Sequence, residues 1–352
     1  MRFDLFYELA MPPHLSRNEN QLYTDTLEEI EWADQLGFGC AWFVEHHFMR
    51  KYSHLSKPEL LIAALSQRTT NIHLGHAVIP LPLHHPVHIA ERIATLDILT
   101  NGRLEVGIGR GFSPKEFAVF GTPMSNSRTL VDDAINIIKA SFHKQPVSYQ
   151  SEHFQLENCD ILPHVIQNPH PPLWTAAVSP DSFTWAAKNA MPVMAGPFKP
   201  WLMVKHDIEK YTRAWQGTEK PQIAMTVGIL CLEDGKKARQ YAEQAITWFY
   251  EELFKTTLPV LEKLYPSYEH FHDLGRFRKF IKLGINLRLL ETFGMAVVGT
   301  PDECINKLKK YQKAGITHLM CGIGAGAVET ELVKESMQCI AEKVMPAFAE
   351  LK

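Results

Sequence analysis

Residues 86–111 read PVHIAERIATLDILTNGRLEVGIGRG, and this stretch holds a helix, a turn and a strand in order. Pro86 opens the helix, at a position where its missing N–H costs nothing. Val87, Ala90, Ile93 and Ala94 recur at helical spacing and form one buried stripe. Asn101-Gly102 stops the helix. Arg103–Ile108 then reads as a strand, and Gly109-Arg110-Gly111 follows it directly. The unit is the half-repeat of a parallel sheet with helices on its outside.

The same rhythm extends both ways. Upstream, Arg2–Tyr7 is β-prone, Gln21–Leu36 is helical until Gly37, Cys40–Val44 is a short buried strand, Glu59–Gln67 is a helix and Ile72–Ile79 a strand. Downstream come a helix at Leu130–Ser141, a strand at Leu173–Val178, a helix at Asp181–Asn189, a strand at Val193–Ala195 and a helix near Trp201–Trp215. Gln222–Leu232 is a strand, Lys236–Phe254 a long helix, Asp302–Lys313 a helix, His318–Cys321 a strand and Leu332–Val344 a helix. Two stretches break the rhythm. Residues 145–170 read as an excursion in the form of a hairpin, and 255–295 as a mixed, aromatic and basic insertion. Eight such strands close naturally into a (β/α)8 TIM barrel of α/β class, expected as one domain over 1–352. The competing open, doubly wound sheet would carry a Gly-x-Gly-x-x-Gly turn after its first strand, where this chain has Ala10-Met11-Pro12-Pro13.

Bulk properties exclude several classes. The 352 residues carry 45% hydrophobic and 21% charged residues and a net charge of −3. No basic cluster marks a nucleic-acid footprint or a membrane-surface patch. No apolar run approaches the roughly 18 residues of a membrane span. The six cysteines are scattered without a Cys-x-x-Cys pair, which reads as reduced thiols in a cytoplasmic protein. Serine-hydrolase elbows, Walker loops and zinc helices are missing from the sequence.

In a parallel barrel the loops after the strands form the active site. The second strand ends in Glu45-His46-His47, and histidine can exchange a proton at neutral pH. Alternation puts one His toward the pocket and the other against a neighbouring helix or subunit. The alternative is a strand end whose histidines only fill hydrogen bonds. The fourth strand ends in Gly109-Arg110-Gly111, where glycines permit close approach and the guanidinium can grip a phosphate. A tight turn with a surface ion pair is the plain alternative. After the fifth strand, Val178-Ser179-Pro180-Asp181-Ser182 opens a helix, as an anion site or simply as an N-cap. His84 and His88 have metal-ligand spacing without a carboxylate-flanked motif, so no metal is expected. Asp97 and Arg103 bracket the Asn101-Gly102 turn and read as an ion pair. Glu91 lies among apolar residues as a solvated charge or a subunit contact.

Together these segments resemble the bacterial luciferase family of flavin-dependent monooxygenases. The matching stretches are Trp42–Phe48 (WFVEHHF), His85–Leu99 (HPVHIAERIATLDIL), Gly102–Gly111 (GRLEVGIGRG), Val119–Arg128 (VFGTPMSNSR), Val298–Cys304 (VGTPDEC), Cys321–Gly322 and Val344-Met345-Pro346. The resemblance implies a (β/α)8 barrel that takes reduced flavin, usually FMN, from a separate reductase. It implies that O2 adds to this FMNH2 as co-substrate, giving a flavin peroxide that attacks an aldehyde or related carbonyl compound. His46 matches the catalytic histidine. Arg110, Val178, Ser179 and Ser182 fall at the flavin phosphate. Ala77-Val78 matches a cis peptide beneath the flavin ring, with Phe6, Glu45 and Gly109 around it. Two positions depart from the luciferase α subunit. Gly109 replaces a reactive cysteine, which argues against light emission, and Val178 replaces a glutamate. The family pairs through helices after its first strands. That implies a homodimer, or a heterodimer with a homologue, with Glu91 near His47 of the other subunit. The alternatives are a deazaflavin-dependent oxidoreductase on the same barrel and a non-catalytic flavin-binding subunit.

Overall fold

The computed structural model describes residues 1–143, 146–196, 199–264 and 284–349. Local signals set the element boundaries. β1 (Arg2–Tyr7) leads into α1 (Glu19–Leu36), where the Asn18 side chain caps the Gln21 N–H and Gly37, at φ 82°, ends the helix. β2 (Cys40–Phe43), α2 (Pro58–Ser66), β3 (His73–Pro80), α3 (Pro86–Leu99) and β4 (Leu104–Gly109) follow. After β4 the chain makes α4 (Pro114–Phe120) and α5 (Ser127–Ser141), then an antiparallel hairpin of β5 (Val147–Gln150) and β6 (Gln155–Cys159). The sequence excursion is therefore a hairpin. β7 (Leu173–Ala177), α6 (Pro180–Lys188), β8 (Val193–Ala195), α7 (Trp201–Ala214), β9 (Ile223–Cys231) and α8 (Gly235–Leu264) resume the alternation. The chain ends with α9 (Leu287–Thr292), β10 (Ala296–Gly299), α10 (Pro301–Lys313), β11 (His318–Ile323) and α11 (Thr330–Cys339).

Eight parallel strands close a barrel in the order β1-β2-β3-β4-β7-β8-β9-β11, and β11 pairs back onto β1. They are the eight read from the sequence. β10 is a ninth strand, which sequence reading missed. Its four residues pair with the last residues of β9, Ala296 on Gly228 and Gly299 on Cys231. α8 runs ten residues beyond the expected end at Phe254, into the stretch read as an insertion. Residues 265–283 of that insertion lie outside the described residues. The last helix is also shorter than expected: its α-helical part stops at Cys339 and a π turn spans Ile340–Val344. Among the described residues, no helix is long and apolar enough to cross a membrane.

One expected contact is not made. Asp97 does not pair with Arg103. Its carboxylate accepts the N–H groups of Ile166 and Gln167 and the Gln167 side-chain amide. Arg103 instead donates to the carbonyls of Ser66, Thr69 and Ile72 and to the Thr69 hydroxyl. Both residues tie a loop to the helix ends, where unmatched backbone groups need partners.

The barrel is filled, not hollow. At its floor Arg2 bridges Asp4 and Glu105. The indoles of Trp42 and Trp174 donate to those two carboxylates and meet edge to face at 5.7 Å. A methyl group at Gly75 would stand 2.4 Å from the Trp42 ring, so glycine there is what admits the indole. Cys40, Met194, Ala224 and Met320 pack around the two tryptophans, and Phe6, Ala77 and Val78 lie on top. This plug closes the N-terminal end.

Candidate active site

Three strand ends build the mouth. β1 runs into Glu8, β2 into Glu45-His46-His47, and β4 into Gly109-Arg110-Gly111. The alternation expected for the two histidines is present. His46 lies between carboxylates, with its Nε2 3.8 Å from Glu8 Oε2 and its Nδ1 3.9 Å from Glu116 Oε1. Both separations are ion-pair contacts that fall short of hydrogen bonds. The Phe112 and Tyr52 rings flank it at 5.3 and 5.8 Å. His47 points the other way. Its Nε2 is 3.1 Å from Glu45 Oε1 and its ring packs on Phe120 at 4.8 Å.

Charge follows from these neighbours. Burial disfavours the His46 imidazolium, but Glu116, Glu8 and Glu45 outweigh it and raise its pKa. Burial raises Glu8, against the opposing His46 charge and the Tyr52 hydroxyl. Burial would also raise Glu45, but His47 and His84 outweigh it and hold the carboxyl at about 2. Glu45 Oε1 takes both His47 and His84, the latter at 2.7 Å. Glu45 therefore clamps two histidines, and His84 belongs to this clamp. His88 pairs with Glu91 at 3.5 Å on the surface of α3. No group of three or more metal-ligating side chains occurs among the described residues.

The Ala77–Val78 peptide is cis, as the resemblance implied. The β3–β4 register shifts between His76 and Ile79, which carries Val78 toward β4. There Gly109 makes room: a methyl group on it would stand 2.6 Å from Val78 Cγ2. Gly109 thus admits the Val78 side chain of the neighbouring strand. Phe6, Ala77 and Val78 form one apolar shelf above the tryptophan plug.

β4 pairs with β7, Ile108 opposite Thr175, so Arg110 and the Val178–Ser182 turn share one end of adjacent strands. Arg110 is exposed, donates to Ser127 Oγ at 2.9 Å, and has no carboxylate partner among the described residues. The turn is more self-contained than the sequence suggested. Ser182 Oγ accepts the N–H groups of Val178 and Ser179, and Ser179 Oγ accepts that of Ser182 in a reciprocal capping box. In this conformation Ser179 is an N-cap, and Lys199 ties the Val178 carbonyl from below at 2.6 Å.

Sequence reading missed Glu8, Tyr52, Phe112 and Glu116, and weighed His84 only for its metal-ligand spacing with His88. Glu8 was findable, because it follows β1 as Glu45 follows β2. Glu116 sits at the third position of α4 behind its cap, Ser113, and its Oε1 accepts the His47 N–H. Tyr52 has no local signal, since only the loop path brings its hydroxyl to Glu8.

The Luciferase-like monooxygenase family model matches residues 1–318. The alkanal monooxygenase alpha chain of the Kryptophanaron alfredi symbiont is 28% identical, over 99% of each chain. The oxygenating constituent of 3,6-diketocamphane monooxygenase from Pseudomonas putida, solved with FMN, superposes with a TM-score of 0.81 at 20% identity, covering 100% of this chain and 99% of that one. A coenzyme F420-dependent tetrahydromethanopterin reductase from Methanopyrus kandleri superposes with a TM-score of 0.71 at 18% identity, over 99% of each.

Proposed function

The chain belongs to the luciferase-like monooxygenase family, and from that membership we propose that it is the oxygenating component of a two-component system, taking FMNH2 from a separate reductase and oxidising an aldehyde or related carbonyl compound. The observation that carries this reading is Arg110, an exposed cation without a carboxylate partner among the described residues, at the barrel end that also holds the apolar shelf and His46. An apolar surface beside an exposed guanidinium fits a flat ring system that ends in a phosphate.

In this reading Phe6, Ala77 and Val78 hold the ring, with Gly109 behind Val78. Arg110 neutralises the phosphate, and Val178, Ser179 and Ser182 meet it by opening their capping box. Glu45 acts one step back, fixing His47 and His84. When bound, reduced FMN supplies the electrons that activate O2. His46 supplies and takes back a proton at its imidazole. The tryptophan plug keeps water from reaching the site through the floor. Leu60 on α2 and Ile98 and Leu99 on α3 are large exposed apolar residues. They support pairing of two chains through these helices, as a homodimer or with a homologue.

A second reading, hydride transfer with a deazaflavin, is favoured by the full-length likeness in fold to the F420-dependent reductase. Anaerobic titration with reduced FMN and with reduced deazaflavin separates the two. It should be followed by air and a panel of aldehydes and ketones, with acid, ester and light all monitored. The proposal expects FMNH2 to bind, Arg110→Ala to weaken that binding, and an acid or ester to form. Binding of deazaflavin alone, with turnover that needs no oxygen, would replace it with the second reading.

A further inference from the structure

Glu8 is buried at 6% exposure, and its two oxygens have different surroundings. Oε1 accepts the Tyr52 hydroxyl at 2.7 Å. Oε2 has no hydrogen-bond partner among the described residues and lies 3.8 Å from His46 Nε2. Tyr52 is itself buried and stacks on Phe249 at 5.7 Å, so its hydroxyl is fixed on Glu8. Glu8 also stands in the wall between two cavities. One, about 10 Å3, lies at the mouth with Phe6, Thr226 and Tyr250. The other, about 30 Å3, lies between β1, α1 and β11 with Tyr7, Arg17 and Glu29. A buried acceptor left open toward an active-site histidine calls for a functional explanation.

We propose that Glu8, held by Tyr52, is a positioning residue whose charge keeps His46 protonated, so that the imidazole meets its ligand as a cation. This rests on the reading of His46 as the proton-handling group. A hydrogen bond from Tyr52 favours the ionised carboxylate, and an ionised carboxylate beside the ring favours imidazolium. Without Tyr52 the proton would move toward Glu8, which burial already pushes up. The other titratable groups facing His46 are Glu116 from α4 and Glu45 from its own strand end. Glu116 Oε1 also takes the His47 N–H at 2.8 Å and faces the Nδ1 side of the ring, whereas Glu8 faces Nε2. On the far side of Glu8 the facing groups are Tyr7, Arg17 and Glu29, with Glu29 pushed up by burial to about 7.

The test is an NMR titration of the ligand-free protein labelled at histidine, with His46→Asn identifying the His46 signal. The expected result is a His46 pKa above the ordinary value of about 6.5. Glu8→Gln should lower it by about 1–3 units, the span for removing an adjacent opposite charge. Tyr52→Phe should lower it less, in the same direction. The remaining histidine signals should stay in place, which separates a local effect from lost folding. With a turnover assay in hand, the limb of the kcat/KM pH profile assigned to His46 should move with Glu8→Gln, whereas a structural role would lower kcat without moving it. An unchanged or raised His46 pKa in Glu8→Gln overturns the proposal. A lowered pKa with an unmoved limb keeps the pair but removes His46 from the proton step, so the two readings fail separately.

Discussion

The floor and the mouth of this barrel contain the same kinds of groups in opposite states. At the floor every oxygen of Asp4 and Glu105 has a donor: Arg2 reaches both carboxylates, and Trp42 and Trp174 complete them. At the mouth Glu8 Oε2, Glu45 Oε2 and His46 Nδ1 are buried with no hydrogen-bond partner among the described residues. Carboxylates whose every oxygen is matched rigidify their surroundings, and a buried one left partly open calls for an explanation. The difference supports reading the C-terminal end as the candidate site and the N-terminal end as scaffold.

The largest effect that could break this contrast is at His46. His46→Ala should cut product formation by roughly 10²–10⁴-fold, the usual share of general acid–base catalysis, while thermal unfolding stays near wild type. If the variant melts early instead, the mouth is a second structural network. Arg2→Ala should do the reverse. It strands two buried carboxylates and should lower unfolding stability by about 3–5 kcal/mol, read from urea midpoints. A negligible loss would mean that the floor is hydrated and not a closed plug.

Gly109→Ala tests the seam between the two regions. Its methyl group meets Val78 Cγ2, so the variant should lose about 1–3 kcal/mol of stability through overpacking. Combining it with Val78→Ala should recover most of that loss. Simple additivity of the two would show that Val78 does not fill the space beside Gly109.

That seam also shows what could be read from the chain alone. Alternation gave the eight barrel strands, because a parallel sheet needs a helix between each pair. β10 escaped because four apolar residues before a capped helix carry no period of their own. His46 and Arg110 were legible as strand ends. The Tyr52–Glu8 contact was not, because it joins residues 44 positions apart across two loops. The Val78 neighbour of Gly109 escaped for a similar reason. A glycine announces close approach, but only the register shift in β3 says what approaches.

The smallest expected effect is the pH dependence of the floor. Burial would raise Glu105, but His73 and the Arg2 charge outweigh it and hold it at about 2. Its folded value is depressed, so its contribution is present above the unfolded 4.5 and lost as pH falls toward about 2. Asp4 runs the other way. Burial raises it to about 6 against Arg2, so its contribution is full below the unfolded 3.8 and lost as pH rises through about 6. Urea midpoints across this range should therefore lose their acid limb in Glu105→Gln and their neutral limb in Asp4→Asn. If each variant keeps the wild-type profile, the floor carboxylates titrate as solvated groups.

The most direct test of the central claim uses oxygen gas enriched in the heavy isotope. The protein is supplied with FMNH2 by a separate reductase and given a carbonyl substrate from the active panel. The account predicts one labelled oxygen atom in the product, with its yield strongly reduced in His46→Ala. A product without label, or with label that is indifferent to His46, would contradict it.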